Sequence, residues 1–272
     1  MTARLLPAAR TLFDSVGPNP WVVRLAFEAK GVLLLTAEQL EARGGFGLGK
    51  RPWCERYKLR IVDKTPENRH RSMHGKNPAG TTPFVELEDG TCLAESVAIV
   101  EYLDALYPDC GPNLSGGEDP LLKAQVAMWT QRVQLSITAP FQRQYQYGEG
   151  LPYFKQHVPW AEASAPGLPG LRKQTTDSLQ WLEGVMQDRV RAGNDTGFLA
   201  GTEDYTIPDL QLYCTAKFMG NPKVNRAKLT ESFDPASTAF GPWLTEWFGR
   251  MDEIVGGLDA SAATATAMPG EE

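Results

Sequence analysis

Two polar residues in the chain occupy positions where they can bind an anion. Ser96 follows a strand-like run and begins a helical pattern. It can serve as the helix N-cap, or its own N–H can bind a carboxylate at the positive end of the helix. Asn19 lies between Pro18 and Pro20. Its side-chain amide can donate to an anion such as a thiolate, and it is equally suited to making a turn. Both roles depend on the elements that position these residues.

The first third of the chain predicts alternating strands and helices. In chain order it predicts a strand over 11–16, a turn over 17–20, a helix over 21–30 that stops at Gly31, a strand over 59–62 and a polar, irregular stretch over 66–76. Apolar runs over 84–87 and 91–94 flank Asp89-Gly90, a strong hairpin signal, and residues 96–107 have helical periodicity. The order is therefore β-α-β-(irregular)-β-β-α.

The second half of the chain predicts helices alone. A stretch rich in Gly, Pro, Asn and Ser over 109–119 indicates a linker. Beyond it, helical periodicity covers 120–137, 171–191, 209–219 and 242–255. We therefore predict an α/β domain over 1–109, an all-helical domain over 120–258 and a disordered tail over 259–272.

Composition excludes several classes of protein. The net charge of −6 and the pI near 5.3 argue against a nucleic-acid binder. The mean hydropathy of −0.32 and the short apolar runs argue against a membrane protein. The four cysteines lack the spacing of a zinc site or a disulfide framework. With no signal-peptide pattern, we expect a cytoplasmic protein with reduced thiols.

Residues 76–99 resemble the N-terminal domain of the cytosolic glutathione S-transferase family. They contain NP-x-G-x-x-P, an apolar strand, an Asp-Gly hairpin, L-x-E-S and the start of A-I-x-x-Y-L. The loop and helix over 17–24 are similar to a bacterial-type branch with a GPNP loop, as are segments of the helical half. The resemblance implies a thioredoxin-like domain followed by a helical bundle, and a homodimer.

The resemblance implies that these motifs bind glutathione as cosubstrate. Thr82 precedes Pro83, and the resemblance implies a cis peptide bond there, with the Thr82 backbone pairing to the cysteinyl unit. Ser96 would bind the γ-glutamyl carboxylate, and Glu95 would accept from the γ-glutamyl ammonium. His70 matches a position that reaches the glycyl carboxylate, but it is also a typical solvated loop residue.

The chain departs from the family where the thiol is activated. Gly17 takes the position of the activating Ser or redox Cys and offers only its backbone. Asn19 is the nearest side chain that can donate to a thiolate, and Ser15 is a weaker alternative. The absence of Cys at Gly17 disfavours thiol-exchange chemistry.

A substrate wall is expected from the helical domain, with Trp129, Arg132 and Tyr145 as candidates, although each taken singly is more typical of a packing or surface residue than of a ligand contact. The segment 34–56 is an insertion relative to the family, and its Gly-rich run does not match a phosphate-binding loop. The predicted function is attack of glutathione thiolate on a hydrophobic electrophile. A glutathione-dependent isomerase and a non-catalytic binding or regulatory protein remain alternatives.

Overall fold

The computed structural model describes residues 8–14, 17–35, 48–51, 54–63, 76–77, 79, 81–148, 151, 161–219 and 240–255. The chain forms two compact units: one comprises the chain up to Gly117 and from Ile254 on, and the other covers Glu118–Glu253. The first contains the described strands and the second contains helices alone. The predicted succession of an α/β part and an all-helical part is therefore confirmed.

Unit 1 is built on a mixed β-sheet. Its elements are β1 (Ala9–Asp14), α1 (Pro18–Ala29), β2 (Leu33–Leu35), β3 (Leu48–Arg51), β4 (Cys54–Asp63), β5 (Phe84–Leu87), β6 (Cys92–Ala94) and α2 (Ser96–Leu106). The strand order is β2-β4-β1-β5-β6, and β3 pairs with β4. β1 runs parallel to β4 and antiparallel to β5, so it lies at the centre of the sheet. The buried apolar residues of unit 1 include Leu12, Phe27, Phe84, Ile99 and Leu103.

Helix α1 begins at Pro18, three residues before the start that periodicity predicts. The predicted turn over 17–20 is therefore wrong, because these residues form the N-cap and the first helical turn. Proline fits there, since first-turn N–H groups have no acceptor within the helix and the ring already fixes a helical φ. The helix ends at Ala29 with Lys30 as its C-cap, and the predicted stop, Gly31, follows with φ 69°.

The hairpin and the helix that follows it are confirmed. β5 and β6 pair antiparallel across a turn in which Gly90 has φ 83°. α2 starts at Ser96, as its periodicity predicts. Two further strands, β2 and β3, were not predicted, and β4 extends well beyond the predicted 59–62. β3, β4 and the end of β2 contribute to the segment 34–56, which sequence alone described only as an insertion.

Unit 2 contains α3 (Pro120–Val133), a π-helical turn (Gln134–Thr138), α4 (Ala139–Tyr147), α5 (Ala161–Ser164), a 3₁₀ turn (Ala165–Gly167), α6 (Leu168–Arg191), α7 (Ile207–Met219) and α8 (Pro242–Val255). The predicted helices are confirmed, and the first continues ten residues past its predicted end at 137. No helix within the described ranges is long and apolar enough to cross a membrane.

The π-helical turn has a cause in the sequence. Pro140 has no N–H to donate to the carbonyl four residues earlier, and its ring would clash there. The preceding turn widens, so that the Ala139 N–H donates to the Gln134 carbonyl five residues back. Two hydrogen bonds then tie this turn to α7: Gln211 Nε2 to Gln134 Oε1 at 3.2 Å, and Thr138 Oγ1 with Thr215 Oγ1 at 3.1 Å.

Asp209 organises the start of α7. Its Oδ2 accepts from the N–H and the hydroxyl of Thr206, both at 3.0 Å, as in a capping box. Its Oδ1 accepts from the Leu199 N–H and the Trp247 indole, also at 3.0 Å. Burial raises the pKa of Asp209, while these hydrogen bonds favour the carboxylate. A buried carboxylate with four donors therefore joins three segments of unit 2.

Candidate functional site

The strand register brings three segments to one edge of the sheet. Phe13 lies opposite Phe84 in the antiparallel β1–β5 pair, and Phe84 lies opposite Ala94 in the β5–β6 pair. The chain therefore leaves β1, enters β5 and leaves β6 at the same edge. The start of α1, the Thr82–Pro83 bond and the Glu95–Ser96 junction lie within a few residues of these positions. The sequence-predicted residues of unit 1 that the structure describes are thus brought together.

Within the part of the chain that the structure describes, the first turn of α1 presents one backbone donor for which no acceptor is found. Pro18 and Pro20 have no N–H, so among the first three helical residues only Asn19 carries one. The Trp21 N–H, next along, is already used, since it donates to the Gly17 carbonyl at 3.2 Å. Gly17, the N-cap, has φ 156° and ψ 165°, a region almost restricted to glycine. Asn19 is half-buried, and it places a backbone N–H and a side-chain amide at the positive end of the helix.

The Thr82–Pro83 peptide bond is cis, as the resemblance implies. Pro83 is buried and leads directly into β5. The loop before it is held by Asn77, which is buried: its Nδ2 donates to the Thr81 carbonyl at 2.8 Å, and its Oδ1 accepts from the Ala79 N–H at 3.2 Å. No role was predicted for Asn77, although its place as the asparagine of the NP motif was a signal that could have identified it.

Glu95, not Ser96, is the N-cap of α2. Its carbonyl accepts from the Ile99 N–H at 3.0 Å, and its backbone has φ 70°, an uncommon conformation for a residue other than glycine. Among the described residues no partner is found for the exposed Glu95 carboxylate. Ser96 is buried as the first helical residue, so its N–H lacks an acceptor within the helix. Of the two roles predicted for Ser96, capping is excluded and anion binding through the N–H fits.

A buried ion pair joins the end of β1 to α1. Arg24 directs its Nε and Nη2 groups at the same carboxylate oxygen of Asp14. Asp14 is completely buried and Arg24 is 5% exposed. Charged side chains are almost never buried this deeply unless they are paired. The sequence does not predict this pair, because a spacing of ten residues between an acidic and a basic residue does not indicate that they are in contact.

A second buried ion pair fixes the C-terminal end of α1. Lys30 Nζ lies 2.6 Å from Asp104 Oδ1 on α2 and donates to the Pro112 carbonyl at 2.8 Å. Asp104 in turn accepts from the hydroxyl of Ser115. The middle of α1 and its C-terminal end are therefore each anchored by a buried charge pair.

The candidates of unit 2 have mainly packing contacts. Trp129 is 1% exposed, and the guanidinium groups of Arg132 and Arg189 each lie 4.9 Å from its ring centroid. Arg132 itself is exposed and lies 5.8 Å from the ring centroid of Trp181. Tyr145 is half-buried and contacts Phe218 edge-on, with ring centroids 6.0 Å apart. A role for Trp129, Arg132 and Tyr145 in a substrate pocket stays a prediction.

Two predicted residues, Ser15 and His70, lie outside the described residues. Three of the cysteines, Cys92, Cys110 and Cys214, are free thiols. Burial raises the pKa of Cys92, and the charge of Glu86 raises it further. Burial alone raises the pKa of Cys214. Neither of these two thiols is activated as a nucleophile by its surroundings.

Residues 12–113 match the family model described as the N-terminal domain of glutathione S-transferase. Over 74 residues the chain is 42% identical to glutathione S-transferase 2 of Saccharomyces cerevisiae. That match covers 27% of this chain and 30% of the yeast protein, so less than a third of the relative's length is matched. Together these findings show that residues 12–113 are similar to the N-terminal domain of glutathione S-transferases.

Solved structures extend the likeness to most of the chain. A glutathione S-transferase domain-containing protein of Marinobacter aquaeolei is 24% identical with a TM-score of 0.62, covering 89% of this chain and 97% of that one. Gtt2 of Saccharomyces cerevisiae is 23% identical with a TM-score of 0.60, covering 89% and 96%. The beta-etherase LigF of a Sphingobium species is 17% identical with a TM-score of 0.63, covering 89% and 94%. The fold is therefore the glutathione S-transferase fold.

Proposed function

We propose that this protein is a glutathione transferase, which binds glutathione at the described sheet edge and holds its sulfur as a thiolate for attack on a hydrophobic electrophile. The observation that carries the proposal is the convergence at that edge of the proline-flanked Asn19, the cis Thr82–Pro83 bond and the Glu95–Ser96 junction. Glutathione supplies the nucleophilic thiol. The chain's own residues bind it, orient it and lower the cost of deprotonation.

The donors and acceptors at the edge fit the two ends of the γ-glutamyl unit. The Ser96 N–H, without an acceptor inside α2, is suited to a carboxylate, because the helix start is positive. The Glu95 carboxylate, exposed and without a described partner, is suited to an ammonium group. Thr82 lies two residues before β5, where its backbone can pair with a peptide as a further strand would. His70 keeps its proposed role toward the glycyl carboxylate on the resemblance alone.

Asn19 is the proposed thiolate stabiliser. Its backbone N–H is the free donor of the first α1 turn, and its side-chain amide adds a second donor on the same residue. Gly17 has no side chain, and its role is to admit the sulfur close to the helix start. Ser15 is retained as the second candidate. The reaction subtype, whether conjugation, dehalogenation, ether cleavage or peroxide reduction, is left to experiment.

The test combines glutathione calorimetry with the pH dependence of thiolate absorbance. In the wild type we expect saturable binding and a bound-thiol pKa well below the free value of about 8.5. Asn19→Ala keeps the backbone donor, so it should raise this pKa only in part. Asn19→Asp should raise it further, because a carboxylate repels the thiolate. Asn113→Ala, an exposed asparagine elsewhere in unit 1, is the matched control and should leave the pKa unchanged.

The alternatives give different results. Binding with an unshifted thiol pKa would favour a non-catalytic protein, for which the missing side chain at Gly17 is the supporting observation. Turnover without net consumption of glutathione would favour an isomerase. Absence of glutathione binding would contradict the proposal outright.

We also propose a homodimer, on an apolar stripe of unit 2. Leu121, Met128 and Leu135 are spaced by seven residues and are 66%, 40% and 63% exposed. That spacing keeps them close to one side of a helix. Trp181, 47% exposed, has its ring centroid 5.8 Å from the guanidinium of Arg132, which belongs to the same helix as Leu121 and Met128. A second copy of the chain with the same stripe is the proposed occupant, since a two-fold axis brings identical patches together. The cytoplasmic location stays a prediction.

A further inference from the structure

We infer that the Asp14–Arg24 ion pair is a positioning device that holds the first turn of α1 at the sheet edge, so that Asn19 faces the ligand in a fixed orientation. The inference rests on the proposed function, because it concerns the same site. It assigns to Asp14 and Arg24 a role that neither the family match nor the sequence patterns identify.

The pair bridges the connection that carries the candidate donor. Asp14 is the last residue of β1, and Arg24 is the seventh residue of α1. The glycine N-cap and Asn19 lie between them in the chain. Because Arg24 directs two N–H groups at one oxygen of Asp14, the helix is restrained in rotation as well as in distance.

The first turn itself supplies few hydrogen bonds. Two of its first three residues are prolines, which fix φ but donate no hydrogen bond. Gly17 has the largest conformational freedom of any residue type. Within the described chain, the hydrogen bond from the Trp21 N–H to the Gly17 carbonyl closes this turn at 3.2 Å. The orientation of the Asn19 donors therefore depends on a contact outside the turn, and the buried ion pair provides it.

Arg24 affects the site by positioning Asn19 and does not itself contact the ligand. Arg24 lies five positions after Asn19, which corresponds to about 7.5 Å along the helix and about 140° around it. Arg24 is therefore a positioning residue that cannot share the ligand face. Replacing a buried ion pair by apolar residues is often neutral or stabilising, so stability alone does not account for burying these two charges.

The test compares Arg24→Met, Asp14→Asn and Arg24→Lys with Lys30→Met, which breaks the other buried pair of α1 at the end remote from Asn19. For each variant we would measure the pKa of bound glutathione thiol, kcat/KM with a model electrophile, the melting temperature and the hydrogen-exchange rate of the Trp21 N–H. If the pair positions the turn, Arg24→Met and Asp14→Asn both raise the thiol pKa and lower kcat/KM by about a hundredfold. For Arg24→Lys, the thiol pKa and kcat/KM lie between those of these two variants and the wild type. Lys30→Met leaves the thiol pKa and kcat/KM unchanged, although its melting temperature is similar to that of Arg24→Met.

Thiol pKa shifts of opposite sign in Asp14→Asn and Arg24→Met would overturn the inference. Asp14→Asn removes a negative charge near the edge, so a purely electrostatic role predicts that it lowers the thiol pKa while Arg24→Met raises it. An equal rise in Lys30→Met would show general destabilisation and would also overturn it. If the wild type fails to lower the thiol pKa, the proposed function fails. Hydrogen exchange then tests separately whether the Asp14–Arg24 pair positions the first turn of α1. Faster Trp21 exchange in Arg24→Met and Asp14→Asn, but not in Lys30→Met, supports positioning; equal rates contradict it.

Discussion

Phe13 and Phe84 stack face to face across the β1–β5 pair, with ring centroids 4.2 Å apart and ring planes 4° from parallel. Phe13 precedes the buried Asp14, and Phe84 follows the cis-bonded Pro83. The ammonium of Lys76 lies 5.3 Å from the Phe13 ring centroid and pairs with Glu86 at 2.7 Å. This stack therefore fixes the register of the two strands directly behind the candidate site.

Truncating one ring should loosen both strands. Phe84 is fully buried, so Phe84→Ala should lower the free energy of unfolding by about 3 to 5 kcal/mol. Phe84→Leu, which retains most of the volume, should cost about 1.5 kcal/mol or less. Urea unfolding at constant m-value measures both. Equal losses in the two variants would show that the volume of the ring is unimportant.

A close backbone approach makes Gly111 sensitive to substitution. A Cβ at Gly111 would lie 2.1 Å from the Ala29 carbonyl oxygen, and its φ is +63°. Gly90 has φ +83° but nothing within 4 Å of its Cβ position, which makes it the matched control. We expect Gly111→Ala to cost about 3 kcal/mol and Gly90→Ala about 1 kcal/mol of unfolding free energy. Similar melting temperatures for the two variants would contradict the close contact with the end of α1.

Acid should weaken a polar contact between α7 and α8. Asp252 lies 2.5 Å from Lys217 Nζ and accepts from the Tyr213 hydroxyl at 2.8 Å, and these hydrogen bonds lower its pKa. A depressed carboxyl pKa contributes stability above the unfolded value of about 3.9, and the contribution is lost as the pH falls through the folded pKa. For this exposed pair we expect at most about 1 kcal/mol.

The measurement is unfolding free energy of wild type and Asp252→Asn between about pH 6 and about pH 2. The difference between the two proteins should be present at the upper end and vanish at the lower end. Glu246→Gln, which removes an exposed partner of Arg250 on the same helix, controls for the loss of a surface carboxylate. A difference that persists unchanged in acid would rule out the assigned cause.

Charge on the apolar stripe of unit 2 should prevent dimerisation. Leu135→Asp places a carboxylate where two copies would meet, and we expect the dimer dissociation constant to rise at least about tenfold. Val190→Asp, at an apolar residue that is 47% exposed and outside the stripe, is the control. Sedimentation equilibrium distinguishes the outcomes. A monomeric wild type, or equal weakening by both variants, would refute the proposed interface.

Local patterns identified much of the fold. The Asp-Gly turn between apolar runs predicted the β5–β6 hairpin, and periodicity predicted α2 and the principal helices of unit 2. The predicted start of α1 is wrong because two prolines are typical of a turn. Proline is equally suited to the first turn of a helix, where backbone N–H groups have no acceptor within the helix. The π-helical turn was also missed, since it follows from one proline acting on carbonyls earlier in the chain.

The site was only partly visible in the sequence. Thr82, Pro83, Glu95 and Ser96 belong to a continuous motif, so their common location could be inferred. The partners of Arg24 and Lys30 could not, because each pair joins separate elements and the distance between them is set by the tertiary structure. Asp104 lies 74 residues after Lys30. Neither periodicity nor composition encodes such a pairing.

The proline-flanked start of α1 also determines what a spectrometer can observe there. Proline residues give no signal in a proton–nitrogen correlation spectrum, so the first three positions of the helix contribute one backbone resonance, that of Asn19, together with its side-chain amide pair. A single labelled residue type thus reports on the head of the helix through two independent groups. Titration of asparagine-labelled protein would follow occupancy of the sheet edge without any change to the sequence.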